Sequence, residues 1–136
     1  MTATVFDTNV LVSGLLSPNG PPGRLLDAIL DGFCLPVVTD SILAEYENVL
    51  CRPKFKFPAN KIQLLLDAIR GCAMYAPFAP LHGTSALPDP DDVIFLEAAA
   101  SLNVPLVTGN LKHFPIKAVG RVKILSPANL LILLYG

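Results

Sequence analysis

The chain has 136 residues, ten Lys and Arg against eleven Asp and Glu, and 52% apolar residues, with a mean hydropathy of +0.54. That length suits one domain, residues 1–136, with a core of its own, yet no apolar run reaches the ~18 residues a membrane helix needs. The three cysteines, Cys34, Cys51 and Cys72, form neither a CxxC pair nor a zinc pattern, which predicts reduced thiols and a cytoplasmic protein.

The elements alternate along the chain. Thr2–Phe6 is β-branched and aromatic and reads as a strand, ending at Asp7-Thr8-Asn9. Asn9–Leu16 is helical, and the Pro/Gly-rich 17–23 stretch is a loop. Arg24–Asp31 turns Leu25, Leu26, Ile29 and Leu30 inward and stops at Gly32. Phe33–Val38 is a second strand, in which Pro36 predicts a short or edge position. Thr39 to Ser41 supplies cap chemistry for a helix to about Leu50, and residues 52–58 form a basic loop. Asn60 caps a helix that carries Ile62, Leu65, Leu66 and Ile69 and ends at Gly71. Residues 72–78 are extended and 77–88 irregular.

Asp89-Pro90 opens the next helix, with Asp89 at the cap and Pro90 at the first helical position. Pro105–Thr108 and Val122–Leu125 are strands, and Ser126-Pro127 caps a last apolar helix. Strands alternating with helices predict an α/β protein: a three-layer α/β/α sandwich around a small, mainly parallel sheet of four or five strands. The high hydropathy fits a sheet covered on both faces.

In such a sheet the ends of the first strand and of Pro105–Thr108 share an edge, so Asp7, Thr108 and Asn110 face one crevice. An acid at the end of a buried strand costs desolvation energy unless it is paired or binds a cation. Asp92 lies in the first turn of the helix before that strand. Glu45 falls ~40° outside Val49, at the border of the apolar arc of Ile42, Leu43, Tyr46, Val49 and Leu50. Each of these two also has an ordinary use: Asp92 offsets a helix dipole, and Glu45 is a solvated flank. Three converging carboxylates would repel, and at least one pKa would rise. A divalent ion resolves this, and an all-oxygen set selects Mg²⁺ or Mn²⁺ over zinc.

Charge is uneven. Up to Leu50 the only base is Arg24, whereas Arg52, Lys54, Lys56 and Lys61 come close together, and after Glu97 only bases remain. Basic loops beside an acidic centre suit an anionic partner, with Arg52, Lys54, Lys56 and Lys112 as phosphate contacts and metal-assisted phosphodiester hydrolysis as the chemistry. His82 reads as a surface residue and His113 as a candidate substrate contact.

Together the strand into Asp7-Thr8-Asn9, Pro36-Val37-Val38-Thr39 before the Glu45 helix, the 89–99 segment beginning Asp89-Pro90-Asp91-Asp92, and Leu106-Val107-Thr108-Gly109-Asn110 resemble a PIN domain over nearly the whole chain. The closest likeness is to PIN-domain toxins of prokaryotic toxin–antitoxin pairs, and the 109–114 stretch resembles one branch of them. The resemblance implies a Mg²⁺- or Mn²⁺-dependent endoribonuclease, often a homodimer, silenced by a cognate antitoxin. By position, Asp7, Glu45 and Asp92 match the family's metal-binding acids, Asn9 the residue that orients the first, and Thr8 and Thr108 stand beside them. Asn110 departs from the pattern, since many relatives carry a fourth acid there, and this puts a second metal in doubt. A PIN-like module that binds RNA or protein without cleavage is the main alternative. A haloacid-dehalogenase-like phosphatase usually wants a second acid two residues after the first, where this chain has Asn9.

Overall fold

The computed structural model describes residues 2–77 and 87–136; His82 and most of the 77–88 segment lie outside them. The elements are β1 (Thr2–Phe6), α1 (Thr8–Leu16), α2 (Pro21–Leu30), β2 (Cys34–Val38), α3 (Asp40–Leu50), α4 (Ala59–Cys72) and β3 (Met74–Tyr75), followed by α5 (Val93–Leu102), β4 (Leu106–Val107), α6 (Ile116–Val119), β5 (Ile124–Leu125) and α7 (Pro127–Tyr135). Short 3₁₀ turns at Pro53–Phe55, Pro90–Asp92 and Leu111–His113 join them.

All strand pairs are parallel, in the order β3-β2-β1-β4-β5. Consecutive residues of β1 point to opposite faces, and both Val5 and Phe6 are buried, so helices cover the sheet on both sides. The chain builds outward from β1 through β2 to β3, then returns to place β4 on the other flank of β1. The C-terminal ends of β1 and β4 therefore form a topological switch point, the place where open α/β sheets keep their crevices. The register fixes this edge: Phe6 pairs with Val107, and the Asp7 N–H donates to the Val107 carbonyl at 3.0 Å.

Several expectations shift. Helix α2 starts three residues early, because Pro21 and Pro22 follow Gly20 as the first helical residues. Its entry is tight: a Cβ on Gly23 would sit 2.1 Å from the Pro18 carbonyl oxygen. Pro36 does not mark an edge strand, since β2 lies between β1 and β3. The flank is nonetheless open beside it, because β3 pairs only with Val37 and Val38 and breaks no ladder at Pro36. Helix α4 begins at Ala59 with Pro58 as its cap residue, so Asn60 lies inside the helix. Asp89 caps as expected, its carboxylate accepting from the Asp91 N–H at 3.0 Å, but the first turn is 3₁₀ before α5 begins. Ser126 caps α7 through the Asn129 N–H at 3.1 Å.

Candidate active site

Asp7 is the cap residue of α1, yet its carboxylate makes no cap hydrogen bond. Its Oδ2 instead accepts from Thr108 Oγ1 at 2.8 Å and from Asn9 Nδ2 at 3.1 Å. Asn9 is itself oriented by the Gly109 N–H, which donates to its Oδ1 at 3.0 Å. Thr108 Oγ1 also accepts from the Asn110 N–H at 3.1 Å, which turns the hydroxyl's one hydrogen toward Asp7. Strand end, helix start and the following turn are thereby tied to one carboxylate oxygen.

Behind this edge α3 is held by a contact that reading the sequence missed. Tyr46 was one member of an apolar arc. Its side chain is fully buried, and its hydroxyl donates to the Phe6 carbonyl at 2.6 Å, on the residue before Asp7. The available signal was a phenol in an otherwise aliphatic stripe, since a buried tyrosine hydroxyl needs a partner.

Asp92 ends the 3₁₀ turn ahead of α5 and is buried. Its Oδ2 receives no aligned hydrogen bond, although His113 Nδ1 lies 3.1 Å away as an ion-pair contact. Burial, then the neighbouring charges of Asp7 and Asp89, push its pKa up to about 6, and His113 pulls the other way. Burial also raises the Asp7 carboxyl, against the Thr108 hydroxyl, the backbone N–H groups of Asn9 and Thr8, and His113. Among the described residues no lysine or arginine is one of the charges acting on either acid.

Glu45 lies half-buried on α3, lining an open depression of about 510 Å³ with Asn48, Pro90 and Asp91. It thus flanks the turn that carries Asp92. Among the described residues no three Asp, Glu, His or Cys side chains are gathered closely enough to form a metal cluster. The charge of Asp7 acts on Asp92, and Glu45 lines the depression beside Pro90 and Asp91 of the turn that ends at Asp92. Thr8 is buried at the first position of α1, its hydroxyl without a partner. Asn110 Oδ1 accepts from the Lys112 N–H at 3.3 Å, capping the turn that carries exposed Lys112 and half-exposed His113.

The other bases stand apart. Arg52, Lys54 and Lys56 are exposed around the turn that follows α3. That helix starts at the switch-point end of β2, so its 11 residues carry them about 16 Å along its axis. There Lys54 sits 5.0 Å from the Phe55 ring, which stacks on Phe57.

Comparison with known proteins agrees with this layout. A protein of Methanocaldococcus jannaschii is 30% identical over 107 residues, 78% of this chain and 69% of that protein. VapBC2 from Rickettsia felis, solved bound to a DNA fragment from their promoter, contains a chain that superposes with a TM-score of 0.63 at 16% identity, covering 92% of this chain and 98% of its own. A chain of FitAB, solved on the IR36 DNA fragment, gives a TM-score of 0.54 at 18% identity, covering 91% and 94%. Residues 3–112 match the PIN domain model, and the chain belongs to the PIN domain family.

Proposed function

We propose that the chain is a metal-dependent endoribonuclease and the toxin of a toxin–antitoxin pair. The observation that carries the reading is the pair of buried acids, Asp7 and Asp92, at the β1/β4 switch point, with no lysine or arginine of the described residues among the charges acting on them. Two buried carboxylates, one of them raised by the charge of the other, form a donor set for a hard divalent cation. Asp92 Oδ2 is a buried acceptor that receives no aligned hydrogen bond among the described residues, with His113 Nδ1 3.1 Å away. Asp7 and Asp92 would hold Mg²⁺ or Mn²⁺, with Glu45 as the third acid; one site is favoured, because Asn110 brings no charge. Once bound, such an ion supplies an activated water and offsets charge on the phosphate.

The chain's own residues do the rest. Thr108 and Asn9 fix Asp7 through one oxygen and leave the other unengaged by either. Lys112, exposed on the turn next to Asn110, would hold a backbone phosphate of RNA. Arg52, Lys54 and Lys56 would serve a strand running well beyond the acids. The fold shared with chains of VapBC2 and FitAB supports a cognate antitoxin as partner, with a homodimer and a cytoplasmic setting following from the same reading. No helix among the described residues is long and apolar enough to cross a membrane.

A second reading, a PIN-like module that binds RNA or protein without cutting, is favoured by Asn110 and by an acid trio that is not gathered into a cluster. Single-stranded RNA incubated with the protein and millimolar Mn²⁺ separates them. Cleavage that EDTA stops and that Asp7→Asn reduces to background supports the enzyme. RNA retained intact by a shift in mobility, with no cleavage, supports the binding module.

A further inference from the structure

We propose that His113 is a positioning residue for Asp92, holding the carboxylate for a divalent cation without itself ligating the ion. The inference rests on the metal-dependent reading of the site. Asp92 Oδ2 is buried, and among the described residues His113 Nδ1, at 3.1 Å, is its polar contact. The His113 side chain is 40% exposed and that of Asp92 12%, so the ring is the more solvent-facing partner of the contact. The turn that carries His113 is tied to the other acid by a continuous set of hydrogen bonds. Thr108 Oγ1 donates to Asp7, the Asn110 N–H donates to that hydroxyl, and Asn110 Oδ1 caps the turn ending at His113.

The residue that departs from the family's acid pattern thus has a use. Asn110 Oδ1 is engaged with the Lys112 N–H, and the turn it starts delivers His113 to Asp92. A carboxylate ligand commonly depends on such an outer contact, and losing one costs ~10–100-fold in metal affinity. An asparagine at 113 carries an amide N–H close to where Nδ1 sits, so it can serve the same contact while removing the imidazole.

The test is Mn²⁺ binding followed by electron paramagnetic resonance at one fixed pH, with full-length wild type, His113→Ala and His113→Asn. Thermal melts without metal establish that each variant is folded. The expected result is a Kd weakened ~10–100-fold in His113→Ala and largely restored in His113→Asn. Spin-echo modulation of the wild-type complex should show no directly bound imidazole nitrogen. Equal affinity in wild type and His113→Ala overturns the role of His113 alone. Equal weakening in both variants, or a directly bound imidazole nitrogen, also overturns it and makes the ring a ligand. A wild type that takes up no Mn²⁺ overturns the metal reading of the site itself.

Discussion

Removing the charge of Asp92 should stabilise the metal-free protein. Its carboxyl is pushed from an ordinary 3.8 up to about 6, by burial first and by Asp7 and Asp89 next. A carboxyl whose folded pKa lies above its unfolded value favours folding while protonated. That contribution is complete below about 3.8 and is lost as pH rises through about 6. At pH 7.5 the ionised form therefore costs stability, about 3 kcal/mol at most for a shift of roughly two units. The 12%-exposed side chain is partly screened by solvent, which brings the expectation to about 1–3 kcal/mol. For a chain of this size the Asp92→Asn variant should melt ~3–10 °C higher at pH 7.5 in EDTA. The assay is thermal denaturation of both proteins by circular dichroism between pH 4.5 and 7.5. The difference should shrink toward pH 4.5, where the wild-type acid is already protonated. A variant that melts at or below wild type at pH 7.5, or by a margin independent of pH, refutes the reasoning.

Other outcomes follow from single contacts. Tyr46→Phe removes the buried 2.6 Å bond to the Phe6 carbonyl and should cost about 1–3 kcal/mol in urea unfolding, because that carbonyl is left unpaired. Gly23→Ala places a methyl 2.1 Å from the Pro18 carbonyl oxygen and should destabilise by at least about 1–3 kcal/mol in the same measurement, since backbone must move. Thr108→Val keeps the volume and removes the donor to Asp7; the Asp7 pKa should rise further, read by carboxyl NMR titration, and Mn²⁺ affinity should fall ~10–100-fold.

The legible parts of this chain were those that obey period and capping. A β-branched run into Asp7 gave both the strand and the acid at its end, and the parallel order followed from strands alternating with helices. Pro36 misled because its rule concerns hydrogen bonding on one flank, and a two-residue β3 leaves that flank open. The turn Leu111–His113 and the short α6 (Ile116–Val119) have no apolar periodicity to announce them. His113 therefore read only as a candidate substrate contact, although the turn that Asn110 caps carries it to 3.1 Å from Asp92. The clustering of Arg52, Lys54 and Lys56 was plain in the sequence. Their separation from the acids was not, since it depends on the direction in which α3 leaves the sheet. Glu45 was placed on the right border of its helix, but helix arithmetic gives an angle and not a distance to Asp7.

The most direct test of the account is a crystal soaked in millimolar Mn²⁺ and measured at a wavelength where manganese scatters anomalously. The account predicts a peak within roughly 2.0–2.6 Å of oxygens from both Asp7 and Asp92. A well-ordered site with no peak at either carboxylate, or with the two acids turned away from a common point, would contradict it.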